Sequence, residues 1–432
     1  MIIIPHETVF QNLEWHYFEN KIQLPLEFIV IDDGDAFIST RLVHENNKKG
    51  KLVNGLLKFT LESELVDVEQ LLLDTDVVVI AKLLTTENQI KNSLDNLEIK
   101  GWVKASNRIE SYPVQLVSIE EEIFSRIRGL YETDVLNNKT VLFIGLGSGG
   151  SFEVMELVKA GVGNFILVDH DRIEVVNVIR HTCGLSDLGR FKTKAIRDRI
   201  LDKNPFAKIE TYEQKCTEEW LPTLKELVKR ADLVFCSTDN RDSRVLVNRA
   251  CVLENRVCIY GGTFERAYGG TVLRVIPHQT MCYQCFIDIL PDVAENYEIS
   301  SQEQADAIAY ADRPVAVEPG LATDIASIAL MSAKLGILEL LRGTETTLAT
   351  LYEDLSSSWF QWLNRRELGT QYADLQPLDS GDDGLRILAW YGIDNEKNPA
   401  CPVCGDFLGK YRQIGISTEF TPEQLAAFGT DE

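Results

Sequence analysis

Three glycines spaced as Gly145-x-Gly147-x-x-Gly150 are the first residues in this chain whose pattern can do chemistry. Lacking Cβ atoms, they let the backbone approach a phosphate. A helix opening there turns its unpaired N–H groups and positive dipole end toward an anion. Asp169 ends the next apolar run, where a carboxylate can hold ribose hydroxyls. These residues alone specify a nucleotide and leave NAD and ATP both open. Asn177, Arg180 and Lys192 follow soon after. Two fixed cations beside a phosphate site suit a triphosphate better than the pyrophosphate of a dinucleotide.

Two cysteine pairs form the second constellation: Cys282-Tyr-Gln-Cys285 and Cys401-Pro-Val-Cys404. Two such pairs bring four thiolates to one tetrahedral Zn²⁺. Four thiolates leave no position for a reactive water, so a zinc there would be structural. The other five cysteines read mostly as packing residues. Cys236, Cys251 and Cys258 fall in apparent strands or helices, Cys183 lies close to Arg180, and Cys216 sits in a linker.

The elements around these residues alternate. TVLFIG reads as a buried strand from Thr140, followed by a turn over Gly147–Gly150, a helix over Phe152–Ala160 and the strand NFILVD to Asp169. Strand, Gly-rich turn, helix and strand make a βαβ unit. Helices are expected near Lys192–Asp202 and Glu219–Arg230, then the strands ADLVFCS and VCIYGG. The expected fold class is therefore α/β, a doubly wound, Rossmann-like parallel sheet. A buried helix is expected over Ala322–Leu341, then a strand pair, LATLYEDLSSS and WFQWLNRR, and a polar insertion over Glu367–Pro399. Residues 1–120 carry short apolar runs such as LEFIVID and DVVVIAKLL, which read as a smaller N-terminal α+β domain. That domain has no cysteine, its histidines (His6, His16, His44) are scattered, and it reads as partner-binding or structural. A helix is expected to join the domains over Ile119–Tyr131.

Composition narrows the partners. The 432 residues include 43 Lys and Arg against 66 Asp and Glu, a net charge of -23. So acidic a surface repels phosphate backbones and excludes nucleic acid as a general partner. No apolar run reaches the ~18 residues of a membrane span. MIIIPHETVF lacks a basic leader and makes a poor signal peptide. The expected location is cytoplasmic, where the nine cysteines would be thiols or metal ligands rather than disulfides.

Taken together, GLGSGG, GVGNFILVDHDRIEVVNVIRH, LGRFK and CSTDNRDSR resemble the ThiF family. That family includes ubiquitin-activating enzymes and related adenylyltransferases. The resemblance implies that residues 121–432 form an ATP-dependent adenylation domain. By the same resemblance, Gly145, Gly147, Gly149 and Gly150 would line the nucleotide, with Asp169 and Asp171 as the Asp-x-Asp strand end. Asn177, Arg180 and Lys192 would bind and polarise the phosphates. In the Thr-Asp-Asn element, Asp239 would hold Mg²⁺ beside Asn240, and Arg244 matches an arginine that follows it. Arg180, Lys192 and Asp239 would carry the catalysis. The family also places a zinc on cysteine pairs in the same two places. It implies a homodimer in which an arginine, Arg126 or Arg128 here, reaches the partner's site.

The implied reaction is attack of a carboxylate on the α-phosphate of MgATP. The implied substrate is the C-terminal tail of a ubiquitin-like protein in a bacterial conjugation or sulfur-transfer pathway, with a conjugating-enzyme-like protein as a further partner. The segment Phe286–Thr323, where relatives carry a thioester cysteine, has none and holds Ala316, Ser300 and Ser301 instead. Direct transfer, transfer through Cys183 or Cys216, and an oxyester at either serine stay open. So do three rival readings: adenylation of a small-molecule or tRNA-bound carboxylate, an NAD-dependent oxidoreductase, and an inactive scaffold. The oxidoreductase would have only His170 and His181 near its nucleotide.

Overall fold

The structure, a computed structural model, describes residues 1–10, 20, 22–31, 34–43, 50–84, 97–105, 108–290, 320–369, 372–381 and 384–405. His16, His44, Ser300, Ser301 and Ala316 lie outside these residues. The chain divides into two compact units, Met1–Arg128 and Gly129–Glu432.

The first unit is a sheet of β1 (Ile2–Pro5), β2 (Gln23–Ile31), β3 (Ala36–Ser39), β4 (Lys51–Leu61), β5 (Val77–Leu83), β6 (Leu97–Ala105), β7 (Arg108–Tyr112) and β8 (Val114–Val117). Their spatial order is β7-β6-β5-β4-β2-β3-β1-β8. The sheet curls on itself. Tyr112 at the end of β7 donates to Gly34 O at 3.3 Å. A Cβ at Gly101 of β6 would meet Ile2 and Val114. Phe28, Leu57, Phe59 and Val79 pack inside the curl. His6 opens a short helix, His6–Phe10.

One expected element shrinks here. The helix expected over Ile119–Tyr131 spans only Ile119–Glu122, closed by Glu122 accepting from Ser118 N–H at 3.1 Å. Arg126 follows in a run of turns, and Gly129 has a φ of 90° that ends helical continuation.

The second unit holds β9 (Thr140–Ile144), β10 (Asn164–Val168), β11 (Lys208–Tyr212), β12 (Leu233–Cys236), β13 (Cys258–Thr263), β14 (Gly269–Val275), β15 (Trp359–Leu363) and β16 (Ala389–Ile393), in the order β11-β10-β9-β12-β13-β14-β15-β16. The strands from β11 to β13 are all parallel, as the βαβ reading requires. β14, β15 and β16 extend them antiparallel. The inner parallel strands β9, β10 and β12 are apolar at successive residues because both faces are covered, while β11, at the edge, is the polar KIETY. Phe143 and Phe235 stack at 4.7 Å on the face carrying helices Ser148–Ala160 and Ala322–Leu340. Ile144, Cys236 and Tyr260 point to the other face, under helices Leu221–Arg230 and Arg241–Leu253. Strand order reverses between β9 and β12, so loops leaving their carboxyl ends diverge and open a crevice.

Two local expectations need correction. The expected strand pair over Leu348–Arg366 is not one. Ala349–Glu353 is a short helix, and Tyr352 lies under the guanidinium groups of Arg274 and Arg342. β15 instead pairs with β14 and with β16, which the polar stretch Glu367–Pro399 supplies. Trp362 faces Trp390 across that pair at 5.4 Å.

Candidate functional site

The Gly-rich loop is pinned at both ends and in its middle. Gly145 N–H donates to Val168 O at 2.9 Å. Gly145 has a φ of 91°, and a Cβ there would sit 2.8 Å from the Ser237–Thr238 peptide. Only glycine fits, since both the left-handed backbone and the close approach exclude a side chain. A Cβ on Gly150 would lie 2.2 Å from Gly145 O. Gly147 and Gly149 face open space, and helix Ser148–Ala160 begins between them. That is a cradle with exposed N–H groups at a helix N-terminus.

The peptide of Leu146 holds the loop's centre. Its N–H donates to Asp169 Oδ2 at 2.7 Å, and its carbonyl accepts from His181 Nε2 at 2.8 Å. His181 Nδ1 accepts from Cys183 N–H at 3.0 Å, so the ring proton resides on Nε2. Burial keeps this imidazole neutral by pushing its pKa down. The clamp by His181 escaped the sequence reading, because nothing local marks which carbonyl a histidine will reach.

Asp169 is buried, and its Oδ1 accepts from Asp171 N–H at 2.8 Å. Each of its oxygens therefore already holds one backbone donor and keeps one further lone pair. Lys192, the first residue of helix Lys192–Lys203, is buried, with Nζ 2.7 Å from Asp171 Oδ2. Burial works against its charge, but Asp169, Asp171 and Asp239 together hold its pKa above the usual lysine value. Asp171 is likewise kept ionised against partial burial by Lys192. Asp239 is exposed at the end of the loop after β12. The structure thus brings Asp169, Asp171, Lys192 and Asp239 around the mouth of the Gly-rich loop.

Other predicted residues hold the frame. Asn177 Oδ1 accepts from Glu174 N–H at 2.9 Å and shapes the turn before Arg180. Arg180 Nη1 lies 3.8 Å from the Cβ position of Gly320, just before the long helix. Asn240 caps helix Arg241–Leu253 by accepting from Ser243 N–H at 2.9 Å. Arg244 is buried and donates to Thr238 O (2.9 Å) and Gly261 O (3.1 Å), bracing the loop that carries Asp239.

Away from the loop, the four cysteines of the two pairs converge, all buried. The sulfurs of Cys282 and Cys285 are 3.9 Å apart, those of Cys282 and Cys401 3.7 Å, and those of Cys285 and Cys404 3.4 Å. A tetrahedron with Zn–S bonds of ~2.3 Å has edges of about 3.8 Å, so the set can hold zinc. None of these pairs approaches the S–S bond length. Among the remaining thiols, burial pushes Cys183 up to about 11, and Cys216 and Cys236 to about 12. None of these three is a thiolate at neutral pH.

Comparison with known proteins places this arrangement. Residues 120–370 match the model of the ThiF family. Ubiquitin-like modifier-activating enzyme 5 of Caenorhabditis elegans is 29% identical over 208 residues, 45% of this chain and 49% of the relative. Adenylyltransferase and sulfurtransferase MOCS3 of Dictyostelium discoideum is 31% identical over 196 residues, 45% of this chain and 43% of the relative. The chain spans about half the length of the curated relatives it matches. Among solved structures, E. coli MccB in complex with N-formylated MccA aligns with a TM-score of 0.46 at 22% identity, covering 63% of this chain and 69% of the other.

Proposed function

From the premise that this chain belongs to the ThiF family, we propose that it adenylates a carboxylate with MgATP. The observation that carries this reading is the cradle at Gly147 and Gly149, faced by Lys192 and Asp239 at the point where strand order reverses. ATP supplies an α-phosphorus open to attack. Gly147, Gly149 and the following helix turn take the phosphates on backbone N–H groups. Asp169 takes the ribose with the lone pairs its clamp leaves over. Lys192 and Arg180 neutralise charge that develops on the phosphate oxygens, and Asp239 holds Mg²⁺. Asp171 keeps Lys192 charged until phosphate replaces it as the partner. The protein needs no covalent chemistry of its own, only in-line placement of the carboxylate.

The carboxylate is the C-terminal tail of a ubiquitin-like protein, with a conjugating-enzyme-like protein as a further partner. Relatives named for activating ubiquitin-like modifiers and for sulfur transfer support this reading. Zinc on Cys282, Cys285, Cys401 and Cys404 serves as a structural tie. The pair Arg126 and Arg128 supplies the arginine given in trans within a homodimer.

ATP–pyrophosphate exchange tests the site. Exchange should depend on the carboxylate partner and fall about 10²- to 10³-fold in Lys192→Ala and in Asp239→Ala, the usual loss when an electrostatic contact to the transition state is removed. Unchanged exchange in either variant refutes the assignment.

A further inference from the structure

Glu153 has no part in the chemistry described so far, yet it sits beneath it. It lies on the helix that starts at the Gly-rich loop and is 1% exposed. Its Oε2 accepts a short hydrogen bond from Ser237 Oγ, in the loop that leads from β12 to Asp239. A Cβ at Gly261 of β13 would lie 3.0 Å from both Glu153 Oε1 and Ser332 Oγ, the latter on helix Ala322–Leu340. One carboxyl therefore bonds the loop bearing Asp239 and lies beside the central sheet, near the buried Ser332 Oγ of the long helix, which has no hydrogen-bond partner among the described residues.

Among the described residues, the charged and titratable groups facing it are few. Arg244, from helix Arg241–Leu253, directs donors to the carbonyls of Thr238 and Gly261. Cys258 on β13 is a buried thiol whose own ionisation burial suppresses. Burial dominates at Glu153. The Ser237 and Ser332 hydroxyls and Arg244 pull part of the way back, and the carboxyl ends near neutrality, at about 7.

We propose that Glu153 is a positioning residue that must be a neutral carboxylic acid for the nucleotide to seat, so that ATP binding takes up a proton there. This rests on the adenylation reading and deepens it. The neutral acid keeps its acceptor for Ser237 and gains an O–H to donate toward Ser332, holding the Gly-rich helix against the Asp239 loop. A triphosphate arriving at the N-terminus of that helix adds negative charge roughly 8–10 Å from Glu153, given ~1.5 Å of rise per residue. At an effective dielectric of about 20, such charge shifts the proton equilibrium about tenfold toward the acid. The balance is one proton taken from buffer per nucleotide bound, in proportion to the fraction of Glu153 that was ionised.

Titration calorimetry of MgATP into the full chain tests this, run at pH 6, 7 and 8 in two buffers of different ionisation enthalpy. ATP affinity should be nearly constant below pH 7 and fall above it toward a limit about tenfold lower. Heats at pH 7 and 8 should depend on buffer, reporting proton uptake. E153Q, which keeps shape and hydrogen bonding but cannot ionise, should bind with a flat pH profile and buffer-independent heats. Its KM for ATP in exchange should likewise not rise with pH, while the wild-type KM does. Wild-type heats that do not depend on buffer overturn the inference without the need of any variant, as does an E153Q profile that still falls with pH. Failure of the wild type to bind nucleotide at every pH overturns the adenylation reading and this inference together.

Discussion

At the scale of single residues, the chemistry depends on which groups stay charged. Lys192 stays an ammonium because three carboxylates outweigh its burial. Cys183 and Cys216 stay thiols because burial outweighs everything near them. On the proposed reaction, transfer would run directly from the acyl adenylate, and incubation with MgATP and the carboxylate partner should give no thiol-sensitive protein adduct. An adduct cleaved by thiol and lost in Cys183→Ala would reverse that view. Glu153 makes a separate stability prediction. Its folded-state pKa of about 7 lies above the ordinary value of 4.5, so its native contribution is complete below pH 4.5 and is lost as pH rises toward 7. Denaturant unfolding should show Glu153→Gln gaining on the wild type as pH rises from 5 to 8, by up to about 3 kcal/mol at ~1.36 kcal/mol per pKa unit. The Gly-rich loop, Asp169 and Lys192 were legible in the sequence because their spacing is local. Glu153, Ser237 and the His181 clamp were not, because each contact depends on strands brought together across the sheet.

At the scale of elements, legibility followed apolar content. β9, β10, β12 and β13 announced themselves as apolar runs. β11, the polar pentapeptide KIETY, escaped notice because edge strands need little apolar surface. β16 escaped because its partner is a tryptophan in another strand, which a polar-looking insertion conceals. The helix over Ala322–Leu340 was visible from composition alone, and it packs along the Gly-rich helix on one face of the sheet. The cysteine pairs join helix Tyr283–Asp288 to the 401–404 turn. Elemental analysis of purified protein should give one zinc per chain. Cys401→Ser should lose the metal and lower the melting temperature, since metal affinity in such a site is also folding free energy. Full zinc content in that variant would disprove the four-sulfur site.

At the scale of the whole molecule, a net charge of -23 surrounds a site that, on the proposed function, takes ATP and a carboxylate. Both ligands are anionic, so raising ionic strength should speed productive encounter by screening repulsion. Light scattering should show a dimer. Mixing Lys192→Ala chains with Arg126→Ala/Arg128→Ala chains should then restore part of the exchange activity, because one site in each mixed pair keeps both groups. An active monomer would remove the arginine from consideration. Among the described residues no helix is long and apolar enough to cross a membrane.

The meeting of Cys282 and Cys285 with Cys401 and Cys404 has a topological consequence. With a metal in place, the chain between the two pairs becomes a closed ring that includes β15, β16 and the helix Ala322–Leu340. A single protease cut anywhere in that ring opens it without releasing either piece, since each fragment still carries two sulfurs of the metal site. Nicked protein should therefore migrate as one particle in native buffer. It should fall into two only when a chelator and a denaturant act together.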